Sequence, residues 1–188
     1  DLVERCEPDS WSMENVVPVR KKLPEGTPSV TLNSADFGVP QTRRRCYAGE
    51  GWVAEPSHSK EEWVSVIEAL PHLEGDLMDS GRASAATTGI NPATGKKEGG
   101  SGPLFRELSD PSYTVMSSPR DVMVDAPEKP VKIRSLTLPE TLVLQGFNPD
   151  YDLSAARTMK SRWTMVGNAV PPPVAEAVIR GIQIDAPN

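Results

Sequence analysis

Gly38-Val39-Pro40-Gln41-Thr42-Arg43-Arg44-Arg45 is the stretch on which the fold of this chain turns. Gly38 and Pro40 set a rigid turn, and Arg44 to Ala48 reads as a strand bounded by Gly49 and Gly51. Along an extended strand, side chains two apart share a face, so Arg43 and Arg45 point one way and Arg44 the other. Three consecutive arginines are commonly a surface patch for phosphate. The Gly-Val-Pro-Gln frame favours a shaped site in which two guanidinium groups converge.

Upstream, Ser10 to Glu14 reads as a strand that ends in a polar loop at Asn15, and Ser29 to Asn33 as a second, β-branched and alternating strand. Pro18, Pro24 and Pro28 exclude a long helix between them. Asp1 to Arg5 reads as a short helix before Pro8, and the absence of an initial Met reads as a beginning cut into a longer protein. Downstream, Trp63, Val66, Ile67 and Leu70 recur at helical spacing. They predict one amphipathic helix from Ser59 to Leu70, stopped by Pro71.

Residues 75–102 are rich in Gly, Ser, Ala and Thr, and 89–102 reads as a mobile loop. Ser112 to Met116 and Asp121 to Val124 are predicted strands. Thr137, Pro139 and Glu140 form a capped helix opening, continued to Gly146. Ser154 to Met165 and Pro173 to Ile182 are predicted helices. No internal repeat is visible.

The chain has 188 residues, 37% hydrophobic and 24% charged, enough for one domain with a modest core. Nineteen prolines and 14 glycines predict short elements and long connections. No apolar run spans a membrane and no signal peptide is visible. Cys6 and Cys46 give no disulfide framework, which fits a reduced cytoplasmic setting. His58 and His72 form no metal spacing with them. A net charge of −6 excludes a generally DNA-coating protein, so a nucleic-acid role needs local basic patches. Arg20-Lys21-Lys22, Arg43-Arg44-Arg45, Lys96-Lys97, and Arg157 with Lys160 and Arg162 are the candidates; each also reads as a solvated surface run.

Three blocks in order, Glu14-Asn15-Val16, the Gln41-x-Arg43-x-Arg45 block and Gly167-Asn168-Ala169-Val170-Pro171-Pro172, with Arg134 to Phe147 between the last two, resemble the C-terminal half of a DNA (cytosine-5) methyltransferase. The resemblance frames residues 10 to 182. It implies an α/β fold: a partial Rossmann-like methyltransferase sheet with a small, loop-rich target-recognition domain. Residues 1–51 would belong to the catalytic domain, 52–132 to the recognition region, and 133–188 to closing helices that return to the catalytic domain.

The reaction implied is methyl transfer from S-adenosylmethionine to C5 of a cytosine flipped out of double-stranded DNA. That carbon is a poor nucleophile. It is activated by a thiolate adding at C6, while a carboxylic acid neutralises charge at N3 and an arginine fixes O2. Glu14 suits the first role, since a buried carboxyl beside a base edge can hold and share a proton; an exposed strand-end carboxylate is its bland reading. Arg43 and Arg45 suit the second, one reaching O2 while the other orients Glu14 or a phosphate. Asn168 and Ala169 would lie against the amino-acid end of the methyl donor, although Gly-Asn before prolines is also a plain turn opening a helix. Gln41, Arg44, Arg82, Lys96, Lys97 and Arg106 are candidate DNA contacts.

The departures from the family pattern carry as much. The family's nucleophile follows a proline, and no Pro-Cys occurs in these 188 residues: Cys6 follows Arg5 and Cys46 follows Arg45. The glycine turn for the cofactor is likewise missing. The interval from Glu14 to Gln41 is short, so a crossover helix is expected to be lost. The chain alone is therefore expected to be inactive and to need an upstream segment or separate subunit bearing the nucleophile. The compact recognition region points to a prokaryotic or viral restriction-modification source. The rival reading is a non-catalytic DNA-binding module, or a regulatory or β subunit of a split methyltransferase.

Overall fold

The computed structural model describes residues 2–79, 105–125, 127 and 131–182. Arg82, Lys96, Lys97 and the glycine-rich 89–102 stretch lie outside the described residues. After α1 (Leu2–Cys6) the chain enters β1 (Trp11–Val16). This strand does not stop at Glu14: Asn15 pairs with Cys46 and Val16 with Arg45, so the expected polar loop is part of the ladder. Between β1 and β2 (Ser29–Asn33) the prolines leave room only for a 3-10 helix, Val17–Lys22, with Pro18 in its first turn, where a missing N–H costs nothing. No crossover α-helix fills this interval.

A second 3-10 helix, Ser34–Phe37, ends at Gly38 in the left-handed region, φ +75°. β3 (Gln41–Thr42) and β4 (Arg44–Glu50) follow. The first sheet has the order β1-β4-β2, with β4 antiparallel to both neighbours. The two outer strands therefore run parallel to each other, with β4 reversed between them.

The amphipathic helix expected over 59–70 is broken. Ser59 and Glu62 form one capping box around a 3-10 turn at Lys60–Glu62. Trp63 is then extended (φ −60°, ψ 131°), and Ser65 with Glu68 forms a second box opening α2 (Val66–Ala69). Two adjacent Ser-x-x-Glu boxes restart the backbone where the hydrophobic spacing alone would continue it. The break turns Trp63 toward the first sheet's connection, where its ring N–H donates to Asp36 Oδ1 at 2.9 Å.

The second sheet contains β5 (Leu77–Asp79), β6 (Phe105–Glu107), β8 (Asp121–Val124) and β9 (Val131–Ser135), in the antiparallel order β6-β5-β8-β9. Of these only β8 is legible in the sequence, and β5 arises inside the stretch that reads as loop. β7 (Ser112–Tyr113) is shorter than the predicted 112–116 and pairs in parallel with β3 instead.

α3 (Leu138–Leu144) opens at the predicted capping box of Thr137 and Glu140. α4 (Met159–Asn168) starts later than Ser154: Asp152 ties the Ser154 N–H and hydroxyl into a local turn, and Thr158 with Ser161 caps the helix. α5 (Pro172–Arg180) completes the order. One core joins α2, β5, β8, α3 and α4 through Val66, Leu70, Met78, Val122, Leu142 and Val166. A smaller core of Leu32, Phe37, Tyr47, Val174 and Val178 lays α5 on the first sheet. Among the described residues no helix is long and apolar enough to cross a membrane.

Candidate functional site

The antiparallel register sets Glu14 opposite Tyr47 and Val16 opposite Arg45. Glu14, Arg45 and Tyr47 therefore share one face of the sheet, with Glu14 and Arg45 as diagonal neighbours within reach of long side chains. Arg45 Nε lies 3.2 Å from Glu14 Oε1, and the two side chains keep 18% and 21% exposure. Arg45 Nη1 also donates to the Arg44 carbonyl at 2.9 Å. The strand extension through Val16 is what makes this pairing possible, because it carries β1 past Glu14 and holds the carboxylate in register.

Arg43 adjoins this pair but is nearly sealed in, at 3% exposure. Its Nη1 donates to the Val115 carbonyl at 3.2 Å, while its buried Nε has no partner. Burial draws the guanidinium down to about 10, and the charge of Arg45 pushes the same way; Glu14 and Tyr47 act in the opposite sense. The Tyr47 phenol is pushed up, first by burial and then by Glu14. The four groups form one coupled cluster whose only partly open members are Glu14 and Arg45. Arg44 projects from the other side of β4 and is exposed, as the alternation predicts.

Several expected contacts fall elsewhere. Gln41 cannot lie on DNA: it is fully buried, with Nε2 donating to the Leu144 carbonyl (3.0 Å) and Gln145 Oε1 (2.6 Å), and Oε1 accepting from the Val115 N–H (2.6 Å). Arg106 is likewise engaged internally. Its Nη1 reaches Thr42 Oγ1 and the Pro111 carbonyl, both at 2.8 Å, and its guanidinium stacks 4.1 Å over the Tyr113 ring. Gly167-Asn168 is not a turn opening a helix but the end of α4. Gly167 is there for close packing: a Cβ would stand 2.5 Å from the Met116 carbonyl carbon and 2.6 Å from the Ser117 nitrogen. Asn168 is exposed, whereas the Ala169 carbonyl accepts from Gln145 Nε2 at 2.7 Å.

Two buried polar residues of α3 and its C-cap were not singled out for the site by sequence reasoning. Glu140, identified only as a helix cap, holds Arg134 through two bonds of 2.8 and 2.6 Å and His72 Nε2 at 2.7 Å. The Arg134 fork, backbone donation at the cap and His72 hold its carboxyl well below the usual carboxylate range despite its burial. Gln145 is fully buried and carries no sequence signal beyond its place before Gly146. A cleft of about 720 Å³ beside β3 is lined by Thr42, Lys60, Trp63 and Arg106, but also by Glu61, Glu107 and Asp110, so its walls suit a phosphate backbone poorly.

Comparison with known proteins identifies the family. The family model for C-5 cytosine-specific DNA methylase matches residues 53–184. The chain belongs to the C-5 cytosine-specific DNA methylase family. That match begins after Glu14 and the arginine block, but a second relative extends over them. Type II methyltransferase M.MthTI of Methanothermobacter thermautotrophicus is 26% identical over 98% of this chain and 69% of its own length. Type II methyltransferase M1.HphI of Haemophilus parahaemolyticus is 31% identical over 80% of this chain. The chain spans 46% of the length of that enzyme. Both relatives are type II methyltransferases by name. A crystal structure of a proposed DNA modification methyltransferase encoded within an E. coli prophage superposes over 96% of this chain and 70% of its own, with a TM-score of 0.52 at 17% identity. The shared fold is a partial methyltransferase α/β fold.

Proposed function

We propose that this chain is the base-gripping and DNA-reading part of a DNA (cytosine-5) methyltransferase. The observation that carries the reading is the Glu14–Arg45 contact of 3.2 Å across β1 and β4, on the face that α5 covers in part and where both side chains keep about a fifth of their surface exposed, 18% and 21%. A cytosine swung out of double-stranded DNA would enter between them. Glu14 would face N3 and share a proton there, and Arg45 would fix O2 as charge grows on the ring. Arg43, locked beneath, would keep the field at O2 positive without touching the base. Exposed Arg44 would meet a phosphate. Residues 52–132 would read the DNA, and residues 133–188 would return the chain to the catalytic part.

The reaction also requires a thiolate and a methyl donor. No Pro-Cys occurs in the sequence, and Cys46 is fully buried between the outer strands. The nucleophile would therefore come from another segment, attached or separate. S-adenosylmethionine would supply the methyl group. Against it the described residues offer the exposed Asn168 amide, while the Ala169 carbonyl is already occupied. That is one wall and does not fit the whole cofactor. The missing nucleophile also favours a second reading, a regulatory or β subunit of a split methyltransferase that holds the flipped base for a partner.

The test is methyl incorporation. With labelled S-adenosylmethionine and mixed-sequence duplex DNA, the 188-residue chain should label no cytosine above background. Adding the nucleophile-bearing part should restore labelling at C5, and Arg45→Ala should abolish it. Labelling by the chain alone would refute the assignment of roles made here.

A further inference from the structure

Gln41 and Gln145 form a polar chain through the interior that ties four separate parts of the sequence together. The Val115 N–H donates to Gln41 Oε1 (2.6 Å), Gln41 Nε2 donates to Gln145 Oε1 (2.6 Å), and Gln145 Nε2 donates to the Ala169 carbonyl (2.7 Å). Both ends are backbone groups of fixed polarity: Val115 N–H only donates and Ala169 C=O only accepts. The orientation of both amides is thereby determined, since flipping either would set donor against donor or acceptor against acceptor. Both side chains are fully buried, so water cannot repair a broken link.

The chain closes on itself. Ala169 follows Gly167 by two residues, and Gly167 packs on the backbone of Met116 and Ser117, directly after Val115. Val115 is gripped twice, by Gln41 at its N–H and by Arg43 at its carbonyl. The Arg43 guanidinium therefore rests on a segment whose position Gln145 sets through Gln41. We propose that Gln145 is a positioning residue: it holds the β3–β4 arginine block in register with the end of α3 and so aims Arg45 at the flipped base. This inference rests on the base-gripping role of Glu14 and Arg45.

The geometry dictates a readout that a merely structural role would leave alone. Affinity of the full chain is measured for two short duplexes, one fully matched and one with the cytosine opposite an abasic site, where flipping is easy. Their ratio reports grip on an extrahelical base. Partial unfolding lowers both affinities by the same factor and leaves the ratio unchanged. Wild type should prefer the easily flipped cytosine, Gln145→Met should lose most of that preference, about tenfold, and the loss should vanish in an Arg45→Ala background. Should the apolar variant fail to fold, Gln145→Asn keeps the amide but draws it back by one methylene, out of reach of Gln41 and Ala169 together. A wild-type ratio of one overturns the base-gripping role itself. A wild-type preference that survives in the folded Gln145 variant overturns the relay alone.

Discussion

The partly exposed Glu14–Arg45 pair on the first sheet and the closed junction behind it use the same kinds of residue in opposite ways. On the face, Glu14 and Arg45 contact each other at 3.2 Å and remain partly exposed. In the junction, Gln41, Gln145 and Glu140 engage nearly every polar atom they own, at zero to 7% exposure. A polar group sealed from water without a partner costs free energy, so the junction is nearly complete, with the buried Arg43 Nε as an exception. The face tolerates incompleteness because water serves it until a ligand does. Within the single block Gln41 to Arg45 the boundary falls between Arg43 and Arg44: Gln41 and Arg43 belong to the scaffold, Arg44 and Arg45 to the surface.

If that boundary is real, the largest stability effect belongs to Gln41. Gln41→Leu leaves the Val115 N–H, the Leu144 carbonyl and Gln145 Oε1 unpaired in the interior. Destabilisation of roughly 3–5 kcal/mol is expected, read as a lower urea midpoint. A loss under about 1 kcal/mol would mean that the junction can admit water or rearrange.

Glu140 comes next. Glu140→Gln keeps the shape but removes the charge that Arg134 grips in two places, and should cost roughly 2–3 kcal/mol at neutral pH. The sign of its pH dependence follows from a carboxyl whose folded pKa is depressed. The stabilisation is fully present above the unfolded value of 4.5 and drains away as pH falls below it toward the folded pKa. The gap between wild type and Glu140→Gln should therefore be constant from pH 6 upward and narrow as the solution is acidified through the range below 4.5. A gap that widens in acid would show that Arg134 does not favour the ionised form.

Gly167 tests the closure of the ring. The sites its Cβ would meet are backbone atoms, not the yielding tip of a side chain. Gly167→Ala should therefore push α4 from the Met116–Ser117 segment and cost about 1–3 kcal/mol, measured by thermal unfolding. Neutrality would mean that the contact is loose enough to give.

How much of this was legible in the sequence divides along the same line. β2 stands at Ser29–Asn33, where alternation and flanking breakers put it, and Thr137 with Glu140 opens α3, because both signals are local. The convergence of Glu14 and Arg45 followed from motif order and strand alternation. Gln41 reads as a surface contact from sequence because its partners, Leu144 and Gln145, stand 103 and 104 residues away, and no local pattern reports them. The helix over 59–70 failed for a different reason. Hydrophobic spacing carried past two serines whose capping boxes break the backbone, so one local signal was weighed over another. Arg106 reads as a DNA contact from sequence because nothing local reports that its guanidinium stacks on Tyr113 and donates to the Pro111 carbonyl.

The smallest stability effect is expected where the largest functional one lies. The Glu14–Arg45 pair is part-exposed and screened by water and salt, and such pairs contribute about 0–1 kcal/mol. Arg45→Ala and Glu14→Gln should therefore shift the urea midpoint little, and a double-mutant cycle between them should give a coupling of about 0.5 kcal/mol that shrinks as salt is raised. Both variants should nonetheless lose the preference for an easily flipped cytosine, because the preference depends on where two charged groups point rather than on what they add to folding. Arg44→Ala provides the contrast: it should weaken binding to both duplexes alike and reduce the salt dependence by about one phosphate contact, leaving the preference intact. If Arg45→Ala instead destabilises the fold as strongly as Gln41→Leu, Arg45 belongs to the scaffold with Arg43, and the face holds no dedicated group for the base.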